Sequence, residues 1–477
     1  MSTAVEPWVE HVAGYTNPAR IRWCTGERGE LEAIGRDASA DPDGAEKPEI
    51  VMSARRPEDV GGTSAFLTRA QATQRYWEPF WGSMRGRVMY VVPYVLAPDT
   101  PMAEAGVQLT DDPRLVVELA RTVRVDPSVR GAGQYVRSLH ARHAKCAPAI
   151  CCFVDGRTIW APAVAAHDFV DARVHALRLA STDIESKGRL PVRMAIVEIV
   201  SGMRTHHVGI VAPNRFGRSQ AALLGTSRSG VAYRILAAKA AWLAVDDDGA
   251  LRATMCERSD DVDAVAMDST GSVVLSALVF CTRRASLIPL VLELPGWENA
   301  CYTGALLESD AGGDAAAPVD PMGMRDLCGT DLNAYLGEWL ALGRRLRRTP
   351  KIFQLNWFLR DPAGELVWPG ATHAWRVVDW MVARIEARAP ARATVAGFAP
   401  KHDGLDRTGL EIDEERWRAL FDVDPTAWRA EVALHEHALE QLGRGVPLEL
   451  RRAHALFAGR VDEIAGRLAR SEEAYRS

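Results

Sequence analysis

Val208-Gly-Ile-Val-Ala-Pro-Asn-Arg-Phe-Gly217-Arg218-Ser219-Gln220 is the stretch whose residue types and spacing could do chemistry. It reads as a strand, a tight loop and a helix start, ending in Gly-Arg-Ser where a phosphate-binding loop ends in Gly-Lys-Ser or Gly-Lys-Thr. In such a loop, backbone N–H groups cradle phosphates, the lysine reaches the β and γ oxygens, and the hydroxyl holds Mg²⁺. Here Gly217 is the loop's single glycine and Arg218 takes the lysine's place, so the stretch alone reads as an ordinary strand-to-helix turn. The twelve histidines show no ligand spacing, and the adjacent pair His206-His207 would point to opposite faces of a strand. The eight cysteines form no C-x-x-C pair and read as a reduced, mostly buried set.

Hydrophobic patterning supplies the elements that must position these residues. Arg87-Val-Met-Tyr-Val-Val-Pro-Tyr-Val-Leu reads as a buried strand. A helix follows from Pro113, with Asp112 as its N-cap. Ala149-Ile-Cys-Cys-Phe-Val and Arg157-Thr-Ile-Trp read as a hairpin around Asp155-Gly156. The segment from Val174 to Ser181 reads as a helix. Met194-Ala-Ile-Val-Glu-Ile-Val and His207-Val-Gly-Ile-Val-Ala flank a turn at Ser201-Gly202. Ser272 to Phe280 and Leu287 to Leu294 read as two further strands, and residues 309–318 as a surface loop or lid. Helices dominate from Asp331, with a break at Gly443 and Gly445. The mixed order argues α/β or α+β, with two lobes, 1–190 and 191–477, joined near 187–192. A cleft between lobes is the expected place for a ligand.

The chain of 477 residues is 47% hydrophobic and 25% charged, with a formal net charge of -5, which excludes disordered and fibrous classes. Its mild acidity gives no argument for nucleic-acid binding or a membrane surface. No apolar run approaches the roughly 18 residues that span a bilayer. The N-terminus lacks the basic-then-apolar order of a secretory signal, so a cytoplasmic location is expected.

Several segments resemble the GTP-dependent phosphoenolpyruvate carboxykinases. These are Lys351-Ile-Phe-Gln-Leu-Asn-Trp-Phe-Leu-Arg-Asp361 with Trp368-Pro-Gly370, Gly86-Arg-Val-Met-Tyr-Val-Val-Pro93, Gly106-Val-Gln-Leu-Thr-Asp111 and His175-Ala-Leu-Arg-Leu-Ala-Ser181. Trp8-Val-Glu-His11 and Arg56-Pro-Glu-Asp59-Val60 add to them. The similarity runs in order from near residue 8 to about residue 420. It implies the family's two-lobed fold, with a modified phosphate loop in a nucleotide-binding C-terminal lobe. It also implies the family's conversion of oxaloacetate and GTP to phosphoenolpyruvate, CO₂ and GDP with two divalent metals.

Residue by residue, the resemblance also exposes departures. The family's phosphate loop ends Gly-Lys-Thr, against Gly217-Arg218-Ser219 here. Its metal lysine falls on Ala172-Arg173, its metal histidine on Arg193, and its Gly-Asp-Asp-Ile-Ala-Trp on Ala237-Ala238-Lys239-Ala240-Ala241-Trp242. Its Tyr-Gly-Gly-Asn substrate loop reads Val164-Ala165-Ala166-His167, and the arginine of its Asp-Val-Ala-Arg turn reads Gly62. The phenylalanines that clamp guanine read Met322, Leu327, Cys328 and Leu332. Its cationic phosphate handlers remain, as Arg283-Arg284.

The family's metal ligands sum to about +1 once the metal is bound, whereas Arg173, Arg193 and Lys239 alone sum to about +3, which would repel a divalent cation. The expectation is therefore no metal at the family site, doubtful nucleotide binding and no other cofactor. In their place, a basic pocket of Arg173, Arg193, Gly217, Arg218, Ser219, Lys239, Arg283 and Arg284 would take phosphate or carboxylate oxygens. Arg173 and Lys239 are the catalytic candidates, the latter as a Schiff-base lysine with its pKa lowered by cationic neighbours. The function so implied is a repurposed, metal-independent enzyme for a small phosphorylated or carboxylated metabolite, with neither nucleic acid nor membrane as partner. A catalytically inactive pseudoenzyme that binds a ligand or a partner is one alternative. An ordinary GTP-dependent carboxykinase is the other.

Overall fold

The computed structural model describes residues 5–38, 48–55, 57, 65–97, 103–169, 178–181, 184, 188–213, 231–237, 240–256, 271–308, 319–325 and 327–476. Three sheets organise them.

The first half builds a mixed nine-stranded sheet. Its strands are β1 (Arg20–Trp23), β2 (Glu49–Ser53), β3 (Ala65–Phe66), β4 (Val88–Leu96), β5 (Glu104–Thr110), β6 (Arg124–Val125), β7 (Val136–Ala141), β8 (Ala149–Phe153) and β9 (Thr158–Pro162). They run in the order β1-β4-β5-β7-β9-β8-β2-β3, with β6 on β4. Alternation along each strand feeds a core on both faces. In β4, Met89 and Val91 pack with Val107 and Leu109, while Tyr90, Val92 and Tyr94 pack on the opposite side with Val116 and Trp242. In β8 the neighbours Cys151 and Cys152 join different clusters, which keeps the two thiols apart. The expected cap is present: the Asp112 carboxylate accepts from the Arg114 amide, with Pro113 in the first turn. The hairpin at Asp155-Gly156 also forms, its tight turn leaving Arg157 left-handed at φ 45°.

A small antiparallel sheet follows: β10 (Leu190–Val192), β14 (Ala241–Val245), β15 (Leu251–Met255) and β16 (Ser272–Val274). It buttresses the first sheet. Arg189 pairs with buried Glu104 of β5, which also takes Arg157 at 3.0 Å, and stacks 4.2 Å over the Trp242 ring of β14.

The third sheet has the order β13-β11-β12-β17-β19-β18-β21-β20. Its strands are β11 (Met194–Ser201), β12 (Arg204–Val211), β13 (Val231–Ala237), β17 (Ala277–Thr282), β18 (Val291–Glu293), β19 (Lys351–Asn356), β20 (Arg392–Ala393) and β21 (Phe398–Ala399). β12, β17 and β19 run parallel, and both faces are covered. Leu278 and Phe280 face the helices Trp297–Ala305 and Leu332–Arg345, whereas Val279 and Cys281 face the helix Trp375–Ile385.

Two sequence expectations are corrected here. Ser272 to Phe280 is not one strand. The Leu275 amide bonds Leu251 of β15 while the next amide, Ser276, bonds His207 of β12, so the run changes sheets between them. The strand expected over Leu287 to Leu294 is only Val291–Glu293, because Leu287 is left-handed at φ 66° and breaks the ladder. Of the helix expected from Val174 to Ser181, 178–180 is helical and 174–177 lies outside the described residues. The expected loop 309–318 lies outside them as well.

Candidate functional site

The third sheet gathers several strand ends on one edge. Val211 pairs with Phe280 and Thr282 with Asn356, so β12, β17 and β19 all end there. Met194 pairs with Val211 and Ile196 with Ala237, which brings the start of β11 and the end of β13 to the same edge. The carboxyl ends of parallel strands are where open α/β sheets bind ligands.

Of the sequence candidates, Arg193, Arg283 and Arg284 are described, and all three stand at this edge. Arg193 is the half-buried joint between β10 and β11. Arg283 is exposed and lies 4.5 Å over the Phe358 ring. The segment carrying Gly217, Arg218 and Ser219 leaves β12 through Ala212-Pro213 at this edge, but those three lie outside the described residues, as do Arg173 and Lys239.

Arg284 is held from all sides. Its backbone is stapled by Asn356, a fully buried side chain at the end of β19. The Asn356 amide donates to the carbonyls of Arg284 at 2.9 Å and Ile288 at 2.8 Å, and its oxygen accepts from the Arg284 and Phe358 amides at 3.2 Å. The guanidinium donates to Glu308 at 2.8 Å and to Glu431 at 2.7 Å. Burial alone would lower the Arg284 pKa, but the two carboxylates outweigh it and keep the group charged. Burial would likewise push the Glu431 carboxyl up, and His435 and Arg284 outweigh that to hold it below its usual range. Sequence reading missed Asn356, Glu308 and Glu431 as site residues. Asn356 sits inside the quoted Lys351–Asp361 motif, where an asparagine ending an apolar strand is the available signal. Glu431 carries none, being 147 positions from Arg284.

The positions aligned with the guanine-clamping phenylalanines, Met322, Leu327, Cys328 and Leu332, are all buried in the core under this sheet. Burial pushes the Cys328 thiol up to about 12. Beside them Gly323 is left-handed at φ +66°, and a Cβ there would lie 2.3 Å from the Ala212 carbonyl oxygen. This close approach fixes the point where β12 hands over to the phosphate-loop segment. From the first half, Ser181 of the His175–Ser181 motif reaches across to the Gly329 amide at 2.6 Å.

Comparison with known proteins fits this arrangement. Residues 45–182 match the phosphoenolpyruvate carboxykinase N-terminal domain, and residues 254–460 match the phosphoenolpyruvate carboxykinase C-terminal P-loop domain. A phosphoenolpyruvate carboxykinase (GTP) of Anaeromyxobacter dehalogenans is 26% identical, over 95% of this chain and 96% of its own length. Proteins of the same name from Renibacterium salmoninarum (26% identical, 93% of this chain and 95% of its own) and Corynebacterium kroppenstedtii (24%, 93% and 92%) align comparably.

These matches correct the sequence reading. The expectation of no divalent metal and doubtful nucleotide binding is overturned, because the chain is matched end to end by proteins named for GTP and its second half by a P-loop domain. They also favour the ordinary carboxykinase alternative over a repurposed, metal-independent enzyme. No helix among the described residues is long and apolar enough to cross a membrane. With both halves matched in family order, the chain belongs to the GTP-dependent phosphoenolpyruvate carboxykinase family.

Proposed function

We propose that the protein is a GTP-dependent carboxykinase, converting oxaloacetate and GTP to phosphoenolpyruvate, CO₂ and GDP. The supporting observation is the end-to-end alignment with proteins bearing that name, across both family domains. In this reading the strand-end edge holds the anionic reactants. Arg283 presents a cation at the surface, and Arg284 stands where Asn356 fixes its backbone. Arginine suits the task because its planar fork meets phosphate oxygens two at a time. A divalent cation, when bound, supplies charge neutralisation at the transferring phosphoryl group. Among the described residues no group of three His, Cys, Asp or Glu gathers to hold one, and Arg193 has no lone pair to offer.

A second reading is a family scaffold turned to another small phosphorylated or carboxylated metabolite. It is favoured by Arg193, which stands at the strand-end edge where the resemblance puts the family's metal histidine. One assay separates the two: phosphoenolpyruvate formation by the full chain with Mn²⁺, Mg²⁺, oxaloacetate and GTP. Turnover above about 1 s⁻¹ that EDTA abolishes supports the carboxykinase. No turnover, in protein that GTP still protects against thermal unfolding, supports the second reading.

A further inference from the structure

Behind Arg284, a chain of polar side chains runs through the interface of three helices, Trp297–Ala305, Trp428–Gln441 and Leu448–Arg476. Glu431 accepts from Arg284 through one oxygen and faces His435 Nε2 at 3.1 Å through the other. His435 Nδ1 lies 2.9 Å from the Tyr302 hydroxyl. That hydroxyl also lies 2.8 Å from His454 Nδ1, and His454 Nε2 lies 2.6 Å from Glu436. Glu431 and Tyr302 are buried, His435 and His454 nearly so, and Glu436 is exposed. A cavity of about 50 Å³ adjoins the chain and is also lined by Glu308, Gln354 and Arg460.

Each imidazole faces a carboxylate through Nε2, so each Nε2 carries a proton if its carboxylate is ionised. Neutral imidazoles of that form would turn two bare Nδ1 lone pairs towards Tyr302. The phenol has a single proton and satisfies one of them. The other contact is a hydrogen bond only if that Nδ1 carries a proton as well. The imidazole concerned is then cationic, or its carboxylate is protonated. Either way the set holds one proton more than its neutral histidines and ionised carboxylates would. Burial keeps the phenol itself protonated by raising its pKa, so the extra proton does not come from it.

We propose that Glu431 is a positioning residue for Arg284, anchored by a His435–Tyr302–His454 junction that keeps one extra proton, and that its carboxylate competes with bound anions for the Arg284 guanidinium. The proposal rests on the carboxykinase reading only for the identity of the anion, a phosphate oxygen of the nucleotide. Glu308 holds the other side of the same guanidinium, so an incoming anion displaces Glu431 or shares Arg284 with it. The C-terminal helices thereby set how available the cation is.

The full-length chain tests this in two ways, neither of which requires turnover. Long-range ¹⁵N histidine spectra at pH 7.5, assigned with His435→Gln and His454→Gln, should show one imidazole of the set carrying the extra proton, and Tyr302→Phe should abolish it. Two neutral Nε2–H imidazoles beside two ionised carboxylates in the wild type would overturn the junction. Sulfate, which does not titrate in this range, serves as the anion probe by thermal shift. Glu431→Gln should bind it several-fold more tightly than wild type, whereas Glu440→Gln, an equal charge change on the exposed face, should not. Should Glu431→Gln fail to fold, Glu431→Asp, whose shorter side chain withdraws from Arg284, should give the same gain. Unchanged sulfate affinity in the variants that fold would overturn the positioning role. Phosphoenolpyruvate formation with unchanged sulfate affinity defeats this proposal alone, and the opposite pair of results defeats the carboxykinase reading alone.

Discussion

The Gly329 amide donates to the Ser181 hydroxyl at 2.6 Å, and that hydroxyl in turn donates to the Arg178 carbonyl at 2.8 Å. One small side chain thus joins the end of the first-half motif to the turn before the helix Leu332–Arg345. Beside it the Tyr335 hydroxyl donates to the Pro191 carbonyl at 2.7 Å. The halves of the chain are pinned by buried hydrogen bonds at the level of the site.

Ser181→Ala should therefore destabilise the protein by about 1–3 kcal/mol, the cost of leaving a buried N–H without a partner. Urea unfolding followed by tryptophan fluorescence measures it. A change within about 0.5 kcal/mol, typical of surface substitutions, would show that water replaces the hydroxyl.

Asn356 makes a sharper case. Leucine there keeps the branched outline but orphans the carbonyls of Arg284 and Ile288, which should cost about 2–6 kcal/mol at 1–3 kcal/mol per buried group. Because the Arg284 backbone loses its staple, GTP protection in a thermal-shift assay should fall by more than the loss of stability alone explains. Wild-type GTP protection in Asn356→Leu would remove Asn356 from the site.

Acid should weaken the fold in a definite window. His140 is fully buried, facing Thr110 through Nδ1 at 2.8 Å and the Val164 carbonyl through Nε2 at 2.8 Å, and burial pushes its pKa down. His207 is lowered for the same first reason. An unfolded histidine titrates near 6.5, so below that pH the unfolded chain binds protons that the native state refuses. Stability is then complete above about pH 6.5 and lost progressively below it. The melting temperature should fall from pH 7 to pH 5.5, and His140→Gln should flatten the slope. A flat wild-type profile would contradict this.

The parts of the fold that were legible in sequence were set by local physics. The strand through Val91, the Asp112 cap and the turn at Ser201-Gly202 each follow from periodicity or capping within a dozen residues. The run from Ser272 to Phe280 misled, because its apolar pattern is continuous while its hydrogen-bond partners change from Leu251 to His207. At the site, Arg283 and Arg284 were found through a motif, but the carboxylates that hold Arg284 come from Glu308 and a distant helix. Such pairings are made by tertiary packing and leave no trace in local spacing. The metal and nucleotide are hidden for a different reason: substituted residues taken one by one point away from them, whereas the similarity spans both halves of the chain.

Two glycines test how tightly the edge is built. Gly323 is left-handed at φ +66°, and a Cβ on it would meet the Ala212 carbonyl oxygen at 2.3 Å, a backbone atom that cannot swing aside. Gly337 lies inside the helix Leu332–Arg345 with nothing within 4 Å of its Cβ position. Gly323→Ala therefore carries both conformational strain and a clash, and should destabilise by more than the roughly 1 kcal/mol of the strain alone. Gly337→Ala should instead stabilise by about 0.4–1 kcal/mol, since alanine limits the unfolded chain and favours the helix. Because Ala212 leads into the segment bearing Gly217, Arg218 and Ser219, Gly323→Ala should also weaken GTP protection, while Gly337→Ala should leave it at the wild-type level. Equal melting temperatures for the two variants would mean that β12 yields at Ala212. The edge would then not be the rigid platform that phosphate binding at a strand end requires.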